Sequence, residues 1–226
     1  LSGHDPNDSA SSSEPVPDYA AAVDADSSPP RVGLVGRLFD DSADAEVRGH
    51  MEGVVARLGD MGAAIEEANV PTDFDALLDA HGVIMSVEGA TAHRDDFGSH
   101  VDDYGPKVRA LIEKGLSTPA VTYVEAMGTG RAFRRDMTEA MKGFDVLLTP
   151  STPTPAPRDL TTTGDPMFQS PWTTGGFPTV TLPSGLSESG LPLGVQLAAT
   201  SFDEEGLLAA ARWCEQVLDV TLSPPV

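Results

Sequence analysis

Side chains that could do covalent or metal chemistry are present in this chain, but their spacing does not gather them. The segment GLSESG (185–190) sets Gly185, Ser187 and Gly190 near a G-x-S-x-G pattern, in which a serine sits on a sharp strand-to-helix turn. The spacing is wrong and both flanks read as hairpin strands, so a turn is expected there. His4, His50, His81, His93 and His100 are not paired at metal spacing with another His or Cys. HExxH and cysteine pairs are also absent, so no zinc site is expected. Neither GxGxxG nor GxxxxGK[ST] occurs, and no cofactor is expected. Aspartate and glutamate are so widespread that no pair stands out for glycosidase-type acid/base work. The three lysines, Lys107, Lys114 and Lys142, fall on polar helix faces, a poor setting for a desolvated base.

The elements that would position any site are easier to read. RVGLVG (31–36) is a short apolar run consistent with a buried strand. Val47, Met51, Val54, Val55 and Leu58 follow helical spacing, with Ser42 as the expected N-cap and Gly62 as the stop. AAIEEANV (63–70) reads as a second strand, completing a βαβ unit. Residues 72–98 read as one helix or two, because Gly82 and Gly89 weaken the pattern. Residues 105–116 read as a short helix with Val108, Leu111, Ile112 and Leu116 inward, and 119–143 as a longer helix whose methionines pack a core. DVLLTP (145–150) is a buried strand stopped by proline. FPTVTLPSG and GLPLGVQLAAT form a hairpin, and a last helix starts from the N-cap Asp203 and runs to Asp219. Residues 9–30, rich in Ser, Pro and Asp, read as a surface connection that wraps over the fold.

Composition narrows the partners. The chain has 226 residues, 14 basic against 35 acidic, and a net charge of −21. That excludes the basic face needed to bind nucleic acid and the attraction needed at anionic membranes. A dense carboxylate surface also suits high salt, where it is screened. The single cysteine, Cys214, cannot form an internal disulfide. It points to a reducing, cytoplasmic setting, and its place in LLAAARWCEQVLDV marks it as core filler. No apolar run is long enough to span a bilayer.

Three stretches then occur in one order: GHDPNDS…EPVPDY, DVLLTPSTPTPAP (145–157), and GDPMFQSPWTTGGFPTVTLPSGLSESGLPLGVQLAATSFDEEGLLAAARWCEQV (164–217). Together they resemble the C-terminal part of the amidase signature family, as does YGPKVRALIEKGLSTPAVTYVEAM between them. The resemblance implies an α/β fold with a mixed β-sheet core flanked by helices, present as its C-terminal portion. On that reading residues 1–226 are one such portion: a wrapping loop over 9–30, a βαβ and helical region over 31–143, and strand, Pro-rich loop, hairpin and final helix over 144–219.

The family's chemistry, as the resemblance implies, uses a Ser nucleophile, a second Ser held through a cis peptide, a Lys base and a Gly/Ser-rich oxyanion loop. In the family these precede the GHDP element. No GGSSGG-like string occurs here, and SASSS (9–13) follows GHDP. The catalytic residues are therefore expected upstream of Leu1, and the chain is expected to be inactive by itself. Removing them should bare apolar surface on RVGLVG and DVLLT. For substrate binding, MFQSPWTTGGFP singles out Phe168 and Trp172 as apolar wall and Gln169 as an amide for polar groups, with Trp172→Ala expected to shift substrate preference more than stability.

The expected partner is a small-molecule amide, with no nucleic acid and no membrane; a homodimer is an open expectation. Two alternatives stand beside the amidase. One is the A subunit of a glutamine-dependent tRNA amidotransferase, which usually carries ANLAGLP where this chain has WTTGGFP. The other is a non-catalytic binding protein.

Overall fold

The computed structural model describes residues 3–24, 28–36, 38–70 and 73–222. The opening Leu1-Ser2-Gly3 reads in the sequence as the end of a helix, but Leu1 and Ser2 lie outside the described residues. In chain order the elements are α1 (Tyr19–Asp24), β1 (Arg31–Leu34), α2 (Leu38–Ser42), α3 (Ala45–Asp60), β2 (Ala64–Glu67), α4 (Phe74–His100), α5 (Pro106–Ser117), α6 (Ala120–Ala140), β3 (Val146–Pro150), α7 (Ser170–Gly175), β4 (Thr179–Leu186), β5 (Pro192–Ala198) and α8 (Glu204–Leu218). They fall into two compact units. One comprises Leu1–Asn69, Ala140–Phe168 and Gly176–Val226; the other comprises Val70–Glu139 and Gln169–Gly175.

The first unit is built on a five-stranded mixed sheet of order β2-β1-β3-β5-β4. β1 pairs in parallel with β2 and β3, and β5 runs antiparallel to both β3 and β4. The βαβ unit and the hairpin are both as expected. One sheet face carries Val32, Val146, Leu148, Val195 and Leu197, packed against Met51, Val54 and Leu58 of α3 and Leu207, Ala211, Cys214 and Leu218 of α8. These residues follow period 2 on the strands and the helical period on α3 and α8, so a single apolar layer covers this face.

Several expectations need correction. Ser42 does not cap α3; it ends α2. The cap is Asp44, whose carboxylate accepts the Val47 N–H at 2.8 Å. A one-turn helix just upstream, with acidic residues in it, was hidden by the same polar composition that suggests a loop. Gly62 does follow the helix in the left-handed region, at φ +105°. RVGLVG and DVLLT are not bare: β1 and β3 are interior strands, and β3 is buried from end to end. The 9–30 connection contains α1, which packs against α8. Asp203 caps α8 by accepting from Gly206 N–H, and Asp219 closes it in the left-handed region.

The second unit is helical. α4 is one 27-residue helix, so Gly82 and Gly89 do not break it. Its glycine serves close packing instead: a Cβ on Gly89 would lie 2.8 Å from Leu111 Cδ2, and one on Gly115 would lie 2.0 Å from the Ser86 carbonyl oxygen. The resulting α4–α5 seam buries Ala90, Phe97 and Ile112, with Val101 and Tyr104 packed beside them. Val108 and Leu116 are 47% and 56% exposed, not inward. The inward positions are Ile112 and Gly115, because the helices approach along the glycine and not along the larger side chains. On α6, Met137 is core as expected; Phe133 is buried too and meets Phe74 edge-on at 6.3 Å.

Candidate binding site

The second face of the sheet differs from the helix-covered one. Thr149 on β3 is the register partner of Gln196 on β5, and Gln196 is the partner of Thr181 on β4. Cross-strand partners share a face, so these three side chains line up, with Ser151 two residues beyond Thr149. Thr149, Ser151 and Gln196 are buried. Gln196 Nε2 donates to the Phe168 carbonyl at 3.4 Å, and among the described residues Thr149 Oγ1 has no hydrogen-bond partner. Ser151 N–H donates to the Gly194 carbonyl, and a Cβ on Gly194 would come within 3.0 Å of Ser151 Oγ. Buried polar groups are costly unless satisfied. A row of them at the C-terminal end of β3, beside a parallel pair, is where open α/β sheets take ligands. The alternation in VLLTPS and GVQLA holds this signal, but only once register pairs the two strands.

The loops around this end are tied together. Asp44 N–H donates to the Pro153 carbonyl at 2.8 Å. Phe168 is fully buried, its ring 4.8 Å from that of Phe39 and steeply inclined to it. Asp40, in α2, is held above the usual carboxylate range by partial desolvation and by Asp41, with Arg48 opposing.

The three residues singled out for substrate binding are thus placed differently. Phe168 belongs to the first unit and packs its interior. Gln169 and Trp172 belong to the second; Gln169 is half-buried and Trp172 is 3% exposed. Removing a buried tryptophan costs about 3–5 kcal/mol, so Trp172→Ala would disturb stability strongly, and the expectation of a mainly substrate-level effect is revised. Also in the second unit, His81 Nδ1 lies 2.9 Å from Thr174 Oγ1, and burial lowers the His81 pKa.

Among the described residues one Ser/His pair lies in the first unit, and its polarity is wrong for nucleophile activation. β4 is irregular between Pro183 and Gly185. Ser184 there donates its hydroxyl proton to the Leu193 carbonyl at 3.2 Å, while His50 Nε2 lies 2.7 Å from the same Oγ. A hydroxyl has one proton, so His50 donates and Ser184 accepts; an activated serine needs the reverse. The pair clips α3 to the hairpin, assisted by Glu46, which accepts the Glu188 N–H. Burial lowers the His50 pKa, and Glu46 opposes that shift. Lys107, Lys114 and Lys142 are all exposed. Cys214 is buried, and burial pushes its thiol up to about 12. Among the described residues no helix is long and apolar enough to cross a membrane, and no group of three or more His, Cys, Asp and Glu side chains could hold a metal ion.

Comparison with known proteins identifies the family. A family model described as Amidase matches residues 1–208. The A subunit of the glutamyl-tRNA(Gln) amidotransferase of Trichlorobacter lovleyi is 33% identical over 248 residues, covering 96% of this chain and 51% of the relative. Its counterpart in Prochlorococcus marinus is 30% identical over 256 residues, covering 100% and 53%. The chain therefore spans about half the length of the curated relatives it matches. Among solved structures, a component of a vestigial protein complex bearing on the origins of an s-triazine catabolic enzyme superposes with TM-score 0.81 at 26% identity, covering 95% of this chain and 48% of that one. An amidase superposes with TM-score 0.76 at 25% identity, covering 84% and 46%.

Proposed function

Because the chain belongs to the amidase family, we propose that it is the substrate-facing portion of a cytoplasmic enzyme that hydrolyses a carboxamide C–N bond. In that reaction a serine Oγ attacks the carbonyl carbon and its proton passes by way of a second serine and a lysine to the departing nitrogen. The C–N bond breaks to leave an acyl-serine, and water then releases the acid. The Ser–cis-Ser–Lys set is expected from the segment that precedes the GHDP element in the family, and no cofactor is needed.

The observation that carries this reading is the family match joined to a polar sheet face. Thr149, Ser151, Thr181 and Gln196 supply hydrogen-bonding groups suited to a polar amide, while the opposite face is packed with apolar side chains. Within the second unit, Gln169, just before α7, and Trp172, on it, are proposed to contribute to recognition; within the first, Phe168 is proposed to support the polar face from the core.

The test compares the 226-residue chain with the complete gene product on 4-nitroacetanilide and benzamide. The expected result is no turnover by the chain, and turnover with a hydroxylamine-trappable acyl-enzyme by the complete protein. Turnover by the chain that survives substitution of Lys107, Lys114 and Lys142 would refute the assignment.

A second reading is favoured by one observation: the curated relatives quoted above are amidotransferase subunits. Co-purification with a glutamine-dependent partner, and ammonia transfer in its presence, would establish that role over free hydrolysis. WTTGGFP in place of ANLAGLP supports the stand-alone enzyme.

A further inference from the structure

The second unit contains a polar tie whose partners are 93 residues apart in sequence: His81 of α4 and Thr174 of α7, Nδ1 to Oγ1 at 2.9 Å. Thr174 Oγ1 also donates to the Ser170 carbonyl at 2.8 Å. That commits the hydroxyl's only proton, so Thr174 accepts from His81, and the imidazole carries hydrogen at Nδ1. The methyl group of the same threonine meets α6. A Cβ built on Gly130 would lie 3.2 Å from Thr174 Cγ2 and 3.8 Å from Ile84 Cδ1. Thr174 is therefore held by a hydrogen bond from α4 and by close packing on α6.

Such ties matter because α7 has only six residues. A helix of that length does not persist by its own hydrogen bonds and takes its position from what it packs against. Trp172 lies two residues before Thr174 on this helix, and Gln169 immediately precedes the helix.

We propose that His81 is a positioning residue for amide recognition, fixing through Thr174 the short helix that carries Trp172 and follows Gln169. This rests on the proposed contribution of Gln169 and Trp172 to recognition, Gln169 half-buried and Trp172 from within the unit's interior. His81 itself touches no substrate; its contribution is the Nδ1–H donated to Thr174. An asparagine can present an amide N–H from about the same place, whereas alanine cannot.

The chain has two tryptophans, so in a Trp213→Phe background the emission reports Trp172 among this chain's residues. In the complete protein, with any tryptophan outside these 226 residues also replaced by Phe, His81→Ala and Thr174→Val should each red-shift that emission. Each should also raise KM for benzamide by about five-fold, the worth of one hydrogen bond, with kcat nearly unchanged. His81→Asn should stay near the parent, and the double variant His81→Ala/Thr174→Val should be no worse than either single. If His81→Ala fails to fold, Thr174→Val carries the same comparison against His81→Asn.

Unchanged emission and KM in His81→Ala, or His81→Asn as damaging as His81→Ala, overturns the proposal. Gln169→Ala separates the two layers. Raised KM in Gln169→Ala with unaltered KM in His81→Ala removes the positioning role alone. Unaltered KM in both, with emission shifted, removes the contribution to recognition on which it stands.

Discussion

Gly115→Ala tests the packing of the helical unit most sharply. The added Cβ would lie 2.0 Å from the Ser86 carbonyl oxygen, 2.6 Å from Ser86 C and 2.6 Å from Ala90 Cβ. Two of those three atoms are backbone, so no rotamer change relieves the clash, and α5 must move away from α4 by about 1 Å or more to restore contact distance. Ile112, fully buried in the same seam, loses packing as the helices part. Overpacking of this kind costs about 1–3 kcal/mol. Against that, alanine gains up to about 1 kcal/mol over glycine in a helix interior. With the full offset the expected net loss is about 0–2 kcal/mol, toward the upper end because two of the clashing atoms are backbone. Gly128→Ala on α6 is the control, since nothing lies within 4 Å of its Cβ; the propensity gain alone should then stabilise it by about 0.5–1 kcal/mol. The assay is denaturant unfolding followed by Trp172 fluorescence in the Trp213→Phe background, which reports the unit containing both glycines. If Gly115→Ala shifts the midpoint in the same direction as Gly128→Ala, the close-approach argument is wrong.

Three further outcomes are expected. Cys214, with its thiol pushed up to about 12 by burial, should resist iodoacetamide in the native protein and react on unfolding; fast native alkylation would contradict its core position. Asp40 has a raised pKa, so the folded state disfavours its charged form and loses stability as pH rises from the unfolded value through the folded one. Asp40→Asn should therefore stabilise by about half a kcal/mol at pH 7, with the gain vanishing in acid, as melting at the two pH values would read. With a net charge of −21, raising salt from about 0.1 M to about 1 M shortens the screening length from about 10 Å to about 3 Å and should raise Tm. A flat Tm would show that the carboxylates are already too far apart to repel.

What could be read from the chain was whatever is local and periodic. The βαβ unit, the β4–β5 hairpin, the caps of α8 and the burial of Cys214 each depend on residues within one or two turns or strands of each other. What could not be read depends on long-range approach. Val108 and Leu116 satisfy the helical period, but only the arrival of Ser86 at Gly115 decides that the seam runs along the small residue. The glycines of α4 look like breaks until their partner helix is known. Thr149 and Gln196 are far apart in sequence and form a polar row only through strand register. His81 and Thr174 have no sequence signal linking them. Family resemblance singled out MFQSPWTTGGFP, but not which of its side chains are buried: Phe168 and Trp172 both are.

The division of the sheet among three stretches of chain has a consequence for biosynthesis. β1 and β2 leave the ribosome well before the sheet's central strand β3, which begins at Val146, and before β5, which flanks it and ends at Ala198. An emerging chain would thus hold a two-stranded parallel pair that waits for β3 and β5 across a long intervening stretch. The helices from Phe74 to His100 and from Pro106 to Ser117 form contacts close in sequence and can settle during that interval, whereas α7 is translated after β3. Slow codons or chaperone binding in the stretch after β2 would therefore affect the yield of native sheet more than the same perturbation placed after β5.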